Sequence, residues 1–539
     1  MKKIKEIKWK VVLWGLLLLQ FLYMLYWGTQ KSGYYVDEFF TYDNAHYISA
    51  STPEREKLYQ ADYMEYGKWF DVEELKSKLT VKKEESLLQD SFQYNISTFL
   101  NQKPYMAILN YVEAIFFPGQ LNWWSSLSIN LVCFILNQIM LYYIVTRIGH
   151  DPKTAFMAMA LYGFSGMAIS MFVYVRMYMW LTFLVSTFTY LHILMWKEQC
   201  WWKNVLYELA AMFLLLIMFN NSPLPVLYGG AMIFCFSIGL IIKKEWKQVG
   251  YYSVPIIIGG VLYAAIKTDY IKIFKNPEMA YQSGTLDSPT GALIGQMLAI
   301  TPSGCLSRIE ELLRTISRYL YGHFYVALIY IVMCGIFIIF IIRKRVREKS
   351  ESIIHNFSAI EIIVLSCTCL YLVSVVIFNL QPIRYYCFIV PEIAVCIAII
   401  FDYMAKYVQK EKVMLLAVYI ALIGEIFYTA KIPRIENLYL QDREGVKSIA
   451  EQKGIDSVVI DYKWDDKVMY ECLAYTDETT KVMFVKYEDM NKVELHDNVL
   501  VWQRADETDK IVQDLQKKGY TRIDEIAQTH ESRVYLCKK

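Results

Sequence analysis

Apolar runs of about 20 residues recur along the chain, each long enough to cross a hydrocarbon core about 30 Å thick as a helix. They fall at 9–28, 122–146, 153–174, 177–196, 205–220, 223–242, 249–267, 324–342, 359–380, 384–403 and 413–431. The pattern predicts a polytopic α-helical membrane protein with about eleven spans. Where runs nearly abut, a broken or re-entrant helix fits as well as two spans. The first run follows the basic stretch Lys2-Lys3-Ile4-Lys5 and has no small-residue cleavage site after it. It reads as a retained helix rather than a signal peptide.

Between the runs, polar residues divide into two kinds. The connections Arg147 to Lys153, Lys197 to Lys203, Lys243 to Lys247, Arg343 to Lys349 and Lys406 to Lys412 all carry Lys or Arg. The opposite short connections, 220–223 and 379–382, are poor in charge. Basic short loops mark the cytoplasmic side. The alternation predicts a cytoplasmic N-terminus in a plasma-membrane protein. It puts the long loop 29–121, the loop 268–323 and the C-terminal segment outside. Within 29–121, Tyr59 to Gln102 is polar, with a helical pattern over Val72 to Leu88. Tyr105 to Phe117 is apolar but short, and reads as an interfacial amphipathic helix.

After about 431 the pattern changes to that of a water-soluble α/β domain, giving a boundary between 1–431 and 432–539. Arg443 to Lys453 predicts a helix ended by Gly454, and Asp506 to Lys518 one ended by Gly519. Ser457 to Asp461 and Asn498 to Trp502 predict buried strands, and Thr521 to Gln528 with Arg533 to Leu536 a final hairpin. No phosphate-cradling glycine loop is present.

Composition agrees with this reading. Of 539 residues 55% are hydrophobic and 16% aromatic, and mean hydropathy is +0.26. The net charge of +2 gives no footprint for nucleic acid. Eleven cysteines lack metal-finger spacing. Cys472 and Cys537 both fall in the C-terminal domain, where a disulfide is compatible with an extracytoplasmic setting.

Candidate chemistry gathers at the outer ends of the spans. Asp37-Glu38 lies a few residues beyond the first helix in an aromatic stretch; a carboxylate there can act as a general base or accept hydrogen bonds. A solvated pair in the headgroup zone reads equally well. Arg176, in Tyr174-Val175-Arg176-Met177-Tyr178, and Arg384, in Gln381-Pro382-Ile383-Arg384-Tyr385-Tyr386, each present a fork of donors suited to phosphate. Either alone reads as an arginine reaching the interface, but two on one face suggest an anionic ligand. Lys103 and Tyr105 beside Pro104, the Asn220-Asn221 pair and His323 are lesser candidates. No two His residues stand at ligand spacing, so no dedicated metal site is indicated. The sequence requires no cofactor. A divalent cation on Asp37 or Glu38 is compatible with it.

The Asp-Glu pair after the first helix, the Arg-x-Tyr of Arg176 and Tyr178, and Arg384-Tyr385 with Pro391 late in the chain resemble the GT-C glycosyltransferases. The pattern is most similar to the protein O-mannosyltransferase-like enzymes (glycosyltransferase family 39) and the aminoarabinose transferases of lipid A, over roughly residues 10–430. The resemblance implies transfer of a sugar from a polyprenyl-phosphate carrier to a lipid, glycan or protein acceptor at the extracytoplasmic face, with inversion. It implies Asp37 as catalytic base, with Glu38 supporting it or binding acceptor. Arg176 and Arg384 would hold the donor phosphate, and Tyr178, Tyr385, Lys103 and Tyr105 would line the substrate cavity. One departure stands out. Relatives often carry a His-Pro-Pro-like motif late in the first outer loop, and here the stretch reads Asn101-Gln102-Lys103-Pro104-Tyr105.

Two other classes compete. A transporter or flippase would show inverted repeats and mid-membrane polar residues, and no clear repeat is visible. A non-catalytic scaffold would make Asp37 and Arg176 dispensable.

Overall fold

The computed structural model describes residues 2–47, 66–76, 79–81, 104–222, 224–266, 302–323, 358–377, 386–407, 412–461, 466–507 and 510–539. The expected run 324–342, and Lys103, Arg384 and Tyr385 among the candidate residues, lie outside the described residues.

Helices dominate. In chain order they are α1 (Lys2–Gln30), α2 (Val36–Tyr47), α3 (Val72–Lys76), α4 (Pro104–Phe116), α5 (Trp124–Ile148), α6 (Pro152–Gly163), α7 (Gly166–Val173), α8 (Tyr178–Lys197) and α9 (Trp201–Asn221). There follow α10 (Leu224–Ile242), α11 (Trp246–Ile266), α12 (Pro302–Tyr321), α13 (Ala359–Ile377), α14 (Val390–Tyr407), α15 (Lys412–Lys431), α16 (Arg443–Ala450), α17 (Asp466–Tyr475) and α18 (Lys510–Lys517). Among the described residues seven helices are long and apolar enough to cross a membrane, or eight if the bent pair α6–α7 forms one span. The chain is a multi-pass membrane protein. The expected runs 249–267 and 413–431 are also helices, α11 and α15.

The chain divides into two compact units. The first comprises residues 1–24, 131–171 and 177–435; the second comprises 25–130, 172–176 and 436–539. The described residues of the first outer loop thus cluster with those of the C-terminal segment.

In the first unit, the run 153–174 is broken, with a 56° bend between α6 and α7. Asp151 caps α6 by accepting from the Lys153 N–H at 3.0 Å, and Pro152 occupies the first turn, where its missing N–H costs nothing. At the break the Ser165 hydroxyl accepts from the Ala168 N–H at 3.2 Å, starting α7 afresh. Two glycines let other chain segments come close there. A Cβ at Gly163 would collide with the amides of Gln20 and Gln138, and one at Gly166 with the Arg434 carbonyl.

In the second unit a six-stranded sheet carries two apolar faces. The strands are β1 (Trp69–Asp71), β2 (Asp456–Asp461), β3 (Lys481–Lys486), β4 (Asn498–Arg504), β5 (Arg522–Gln528) and β6 (Ser532–Lys538), in the order β1-β3-β2-β4-β6-β5. β2 runs parallel to β3 and β4, and the other pairings are antiparallel. The two expected buried strands and the final hairpin are present. β3 was not anticipated, and β1, from the first outer loop, extends the sheet beyond it. Alternation along the strands separates two cores. Val459, Leu500 and Trp502 point to one with α3 and α17; Val458, Val499 and Val501 point to the other with α18. Cys472 lies in the first core and Cys537 in the second, and both are free thiols. The suggested disulfide is therefore corrected, since the sheet separates the two sulfurs.

The 104–116 helix is amphipathic and too short to span, as expected. Its buried side is Tyr105, Met106, Leu109, Asn110 and Glu113.

Candidate active site

The best-defined constellation lies in the second unit, around the start of α2. Val36 opens the helix, so Asp37 and Glu38 fall in its first turn. Acidic side chains are favoured there, where unpaired N–H groups and the helix dipole carry positive potential. Neighbouring positions on a helix point about 100° apart. That geometry sends the two acids to different fates.

Glu38 turns inward and is completely buried. Lys31, equally sealed, donates to both its oxygens at 3.0 and 3.1 Å and to the Asn437 carbonyl at 2.9 Å. The Tyr35 N–H donates to Oε2 at 2.8 Å, the reach back of an N3 glutamate to the cap residue. The Val175 N–H donates to Oε1 at 2.7 Å. Burial raises the Glu38 carboxyl above its ordinary pKa, against the pull of Lys31 and the two backbone donors. Burial likewise lowers the Lys31 ammonium, against the pull of Glu38. Glu38, expected to share the catalytic role, has no surface left with which to touch a substrate. Its bonds join the ends of three segments.

Asp37 is half-buried. Its Oδ2 accepts from the Tyr174 hydroxyl at 3.2 Å. Its backbone carbonyl accepts from Arg176 Nη1 at 2.8 Å, and the same nitrogen donates to the Thr41 hydroxyl at 3.1 Å. Arg176 is also half-buried, and its Nε–H has no hydrogen-bond partner among the described residues. A carboxylate and a guanidinium thus share the N-terminal turn of α2.

The segment 172–176 that carries Tyr174 and Arg176 is not helical, so its carbonyls need partners. The Asn130 amide donates to the carbonyls of Phe172 and Tyr174 at 3.0 and 2.9 Å. Tyr105 donates to Asn130 at 3.4 Å and is bonded to Ser126 at 2.5 Å. Tyr105, expected in the cavity wall, is completely buried and braces the segment that holds Arg176. Tyr178 belongs to the first unit, where it is buried at the start of α8.

Lys31, Tyr174 and Thr41 were not singled out from the sequence. A lysine at the outer end of the first span, seven residues before Glu38, was the available signal for the first. The first unit holds two adjoining cavities, of about 310 and 250 Å³, both lined by Glu208 and Tyr252.

No protein-family model matches the chain, and no curated protein sequence matches it. Solved structures do show likeness. ArnT from Cupriavidus metallidurans bound to undecaprenyl phosphate is 10% identical, with TM-score 0.48 over 98% of each chain. The oligosaccharyltransferase of Archaeoglobus fulgidus, in complex with zinc and sulfate, is 10% identical with TM-score 0.47, over 91% of this chain and 68% of its own. ArnT in the apo state gives TM-score 0.38 at 10% identity, over 99% of this chain and 98% of its own.

Proposed function

We propose that the protein is a membrane glycosyltransferase that moves a sugar from a polyprenyl-phosphate donor to an acceptor at the extracytoplasmic face, with inversion. The observation that carries this reading is the division of labour between adjacent acids. Glu38 is sealed by Lys31, while Asp37 is held partly open beside the Arg176 guanidinium.

In this reading Asp37 accepts the proton of an acceptor hydroxyl. The acceptor oxygen then attacks the anomeric carbon from the face opposite the phosphate. The bond between that carbon and the phosphate oxygen breaks, and the polyprenyl phosphate leaves with the electron pair. Arg176, with Arg384 as second donor, stabilises the charge developing on the phosphate. Tyr174 orients the base through its hydroxyl. The buried Lys31–Glu38 pair keeps the turn rigid, so the carboxylate need not reorganise during reaction.

The test is release of polyprenyl phosphate from a panel of polyprenyl-phosphate sugars, starting with undecaprenyl carriers and with cell envelope as acceptor. Wild-type membranes are expected to release the carrier from at least one donor, and a folded Asp37→Asn variant to lose that release. Equal release by both would remove Asp37 from catalysis. No release with any donor would favour a transporter or scaffold.

A further inference from the structure

A second polar cluster, independent of the proposed reaction, lies in the second unit where the C-terminal sheet meets the segment leading into it. Asp442 ends the turn before α16, Glu471 projects from the middle of α17, and His530 sits in the turn between β5 and β6. One ligand atom from each lies within 4.8 Å of the others. His530 Nδ1 is 2.5 Å from Asp442 Oδ2 and 3.3 Å from Glu471 Oε1.

We infer that Asp442, Glu471 and His530 form a binding site for one divalent transition-metal ion, of the zinc or manganese class. Three features support it. First, atoms are left over. Asp442 and Glu471 are 0% and 1% exposed, yet Asp442 Oδ1 and Glu471 Oε1 have no hydrogen-bond partner among the described residues. A buried carboxylate oxygen without a donor is costly, and a cation relieves both together.

Second, the surroundings aim the ligands. Thr529 and Ser532 hydroxyls donate to Glu471 Oε2 at 2.5 and 2.6 Å, which leaves Oε1 for an ion. The Tyr439 ring stacks on the imidazole at 4.1 Å and fixes its plane. Tyr439 holds this position at φ 53°, a left-handed conformation uncommon for a non-glycine residue. With Nδ1 as ligand the proton sits on Nε2, which lies 3.9 Å from Glu531. A carboxylate behind a ligating histidine is a recurrent outer-shell arrangement.

Third, the charges balance. Two carboxylates and a neutral imidazole sum to minus two, and a divalent ion cancels that. Without an ion the two carboxylates face the single imidazole of His530, while Glu531 is paired with Lys467 at 3.5 Å. A mixed nitrogen and oxygen set disfavours calcium and magnesium, which prefer oxygen ligands. Water completes a four-coordinate site of this kind.

The experiment uses the full-length protein in detergent, stripped with a chelator, dialysed and offered Zn²⁺, Mn²⁺ or Co²⁺. Bound metal is counted by mass spectrometry, and Co²⁺ is followed by its visible absorption. The wild type and Asp37→Asn are expected to bind one ion per chain, with a rise in melting temperature. His530→Gln and Asp442→Asn are expected to lose the ion, while Thr529→Val weakens binding by about 10–100-fold. Failure of the stripped wild type to take up any of the three ions would overturn the site, whatever the variants do. So would retention of the ion by both His530→Gln and Asp442→Asn. If those two variants fail to fold, Thr529→Val decides, and unchanged affinity there overturns the assignment.

Discussion

Two buried charge clusters, one in each unit, stand beside the ends of membrane helices and differ in how exposed their neighbours are. In the first unit His150, between α5 and α6, has a carboxylate on each nitrogen, Asp402 on Nδ1 at 2.5 Å and Glu361 on Nε2 at 2.6 Å. Glu361 also accepts from the Tyr403 hydroxyl and the Ser358 N–H. Both imidazole nitrogens are engaged, and the cluster fastens the loop to α13 and α14. In the second unit Lys31 and Glu38 form an equally closed pair, but the next residue, Asp37, stays half open and Arg176 keeps an unpartnered N–H among the described residues. One cluster is closed throughout, whereas the other borders a half-exposed carboxylate and guanidinium.

That contrast can be broken by experiment. Asp37→Asn is expected to lower sugar transfer by about 10²–10⁴-fold, the usual worth of a general base, with an unchanged melting temperature. Asp402→Asn is expected to leave transfer per folded molecule unchanged. Equal loss of transfer in both would erase the distinction between site and fastener.

Glu38→Gln or Lys31→Met is expected to cost about 3–5 kcal/mol of stability, because each strands a buried charge. Thermal melting of the purified protein reads it. The double variant Lys31→Met with Glu38→Leu should recover part of the loss only, since the Val175 and Tyr35 N–H groups stay unpaired. Full recovery would mean that the backbone bonds to Glu38 contribute nothing.

His150→Ala is expected to cost about 1–3 kcal/mol through loss of the buried imidazole's bonds to Asp402 and Glu361. The sign of its pH dependence follows from its shift. Burial lowers the His150 pKa, but the bonds to Asp402 and Glu361 outweigh it and the net value is raised. A raised histidine stabilises the fold fully below its unfolded value of about 6.5, and that stability is lost as pH rises through the folded value. Melting should therefore fall with rising pH in the wild type, and less steeply in His150→Ala. An equally steep fall in the variant would assign the pH dependence elsewhere.

The smallest effect is expected for Arg176→Lys. It keeps the charge but loses the planar fork, and about one charge-assisted bond, near 1.5 kcal/mol or roughly tenfold in transfer, should be lost. A hundredfold loss with normal melting would place Arg176 closer to the reacting atoms.

How much of this was legible depended on the range of the interactions. The spans could be read because apolar length is a property of consecutive residues. The C-terminal strands and hairpin could be read because alternation and turn residues are local as well. β1 could not, since three residues carry no periodicity and Trp69 to Asp71 extends only by pairing with Lys481 to Met483. The candidate site was half legible. Asp37, Glu38 and Arg176 were picked by residue type and place, but nothing in adjacent letters says which acid is open. Lys103, Arg384 and Tyr385 lie outside the described residues and remain expectations. The trio at 442, 471 and 530 gave no motif, because its ligands come from three elements and include one histidine.

The sequence by itself determined that this chain lives in a membrane, with helices of span length and a sheet domain after them, because burial in lipid or in a strand core is dictated residue by residue. The tertiary structure decided the roles. It turned Glu38 into a sealed partner of Lys31 and left Asp37 half open. It made Tyr105 a brace and brought Asp442, Glu471 and His530 within reach of one ion. Those outcomes rest on close contacts, most of them between residues far apart in the chain, and only folding sets such distances.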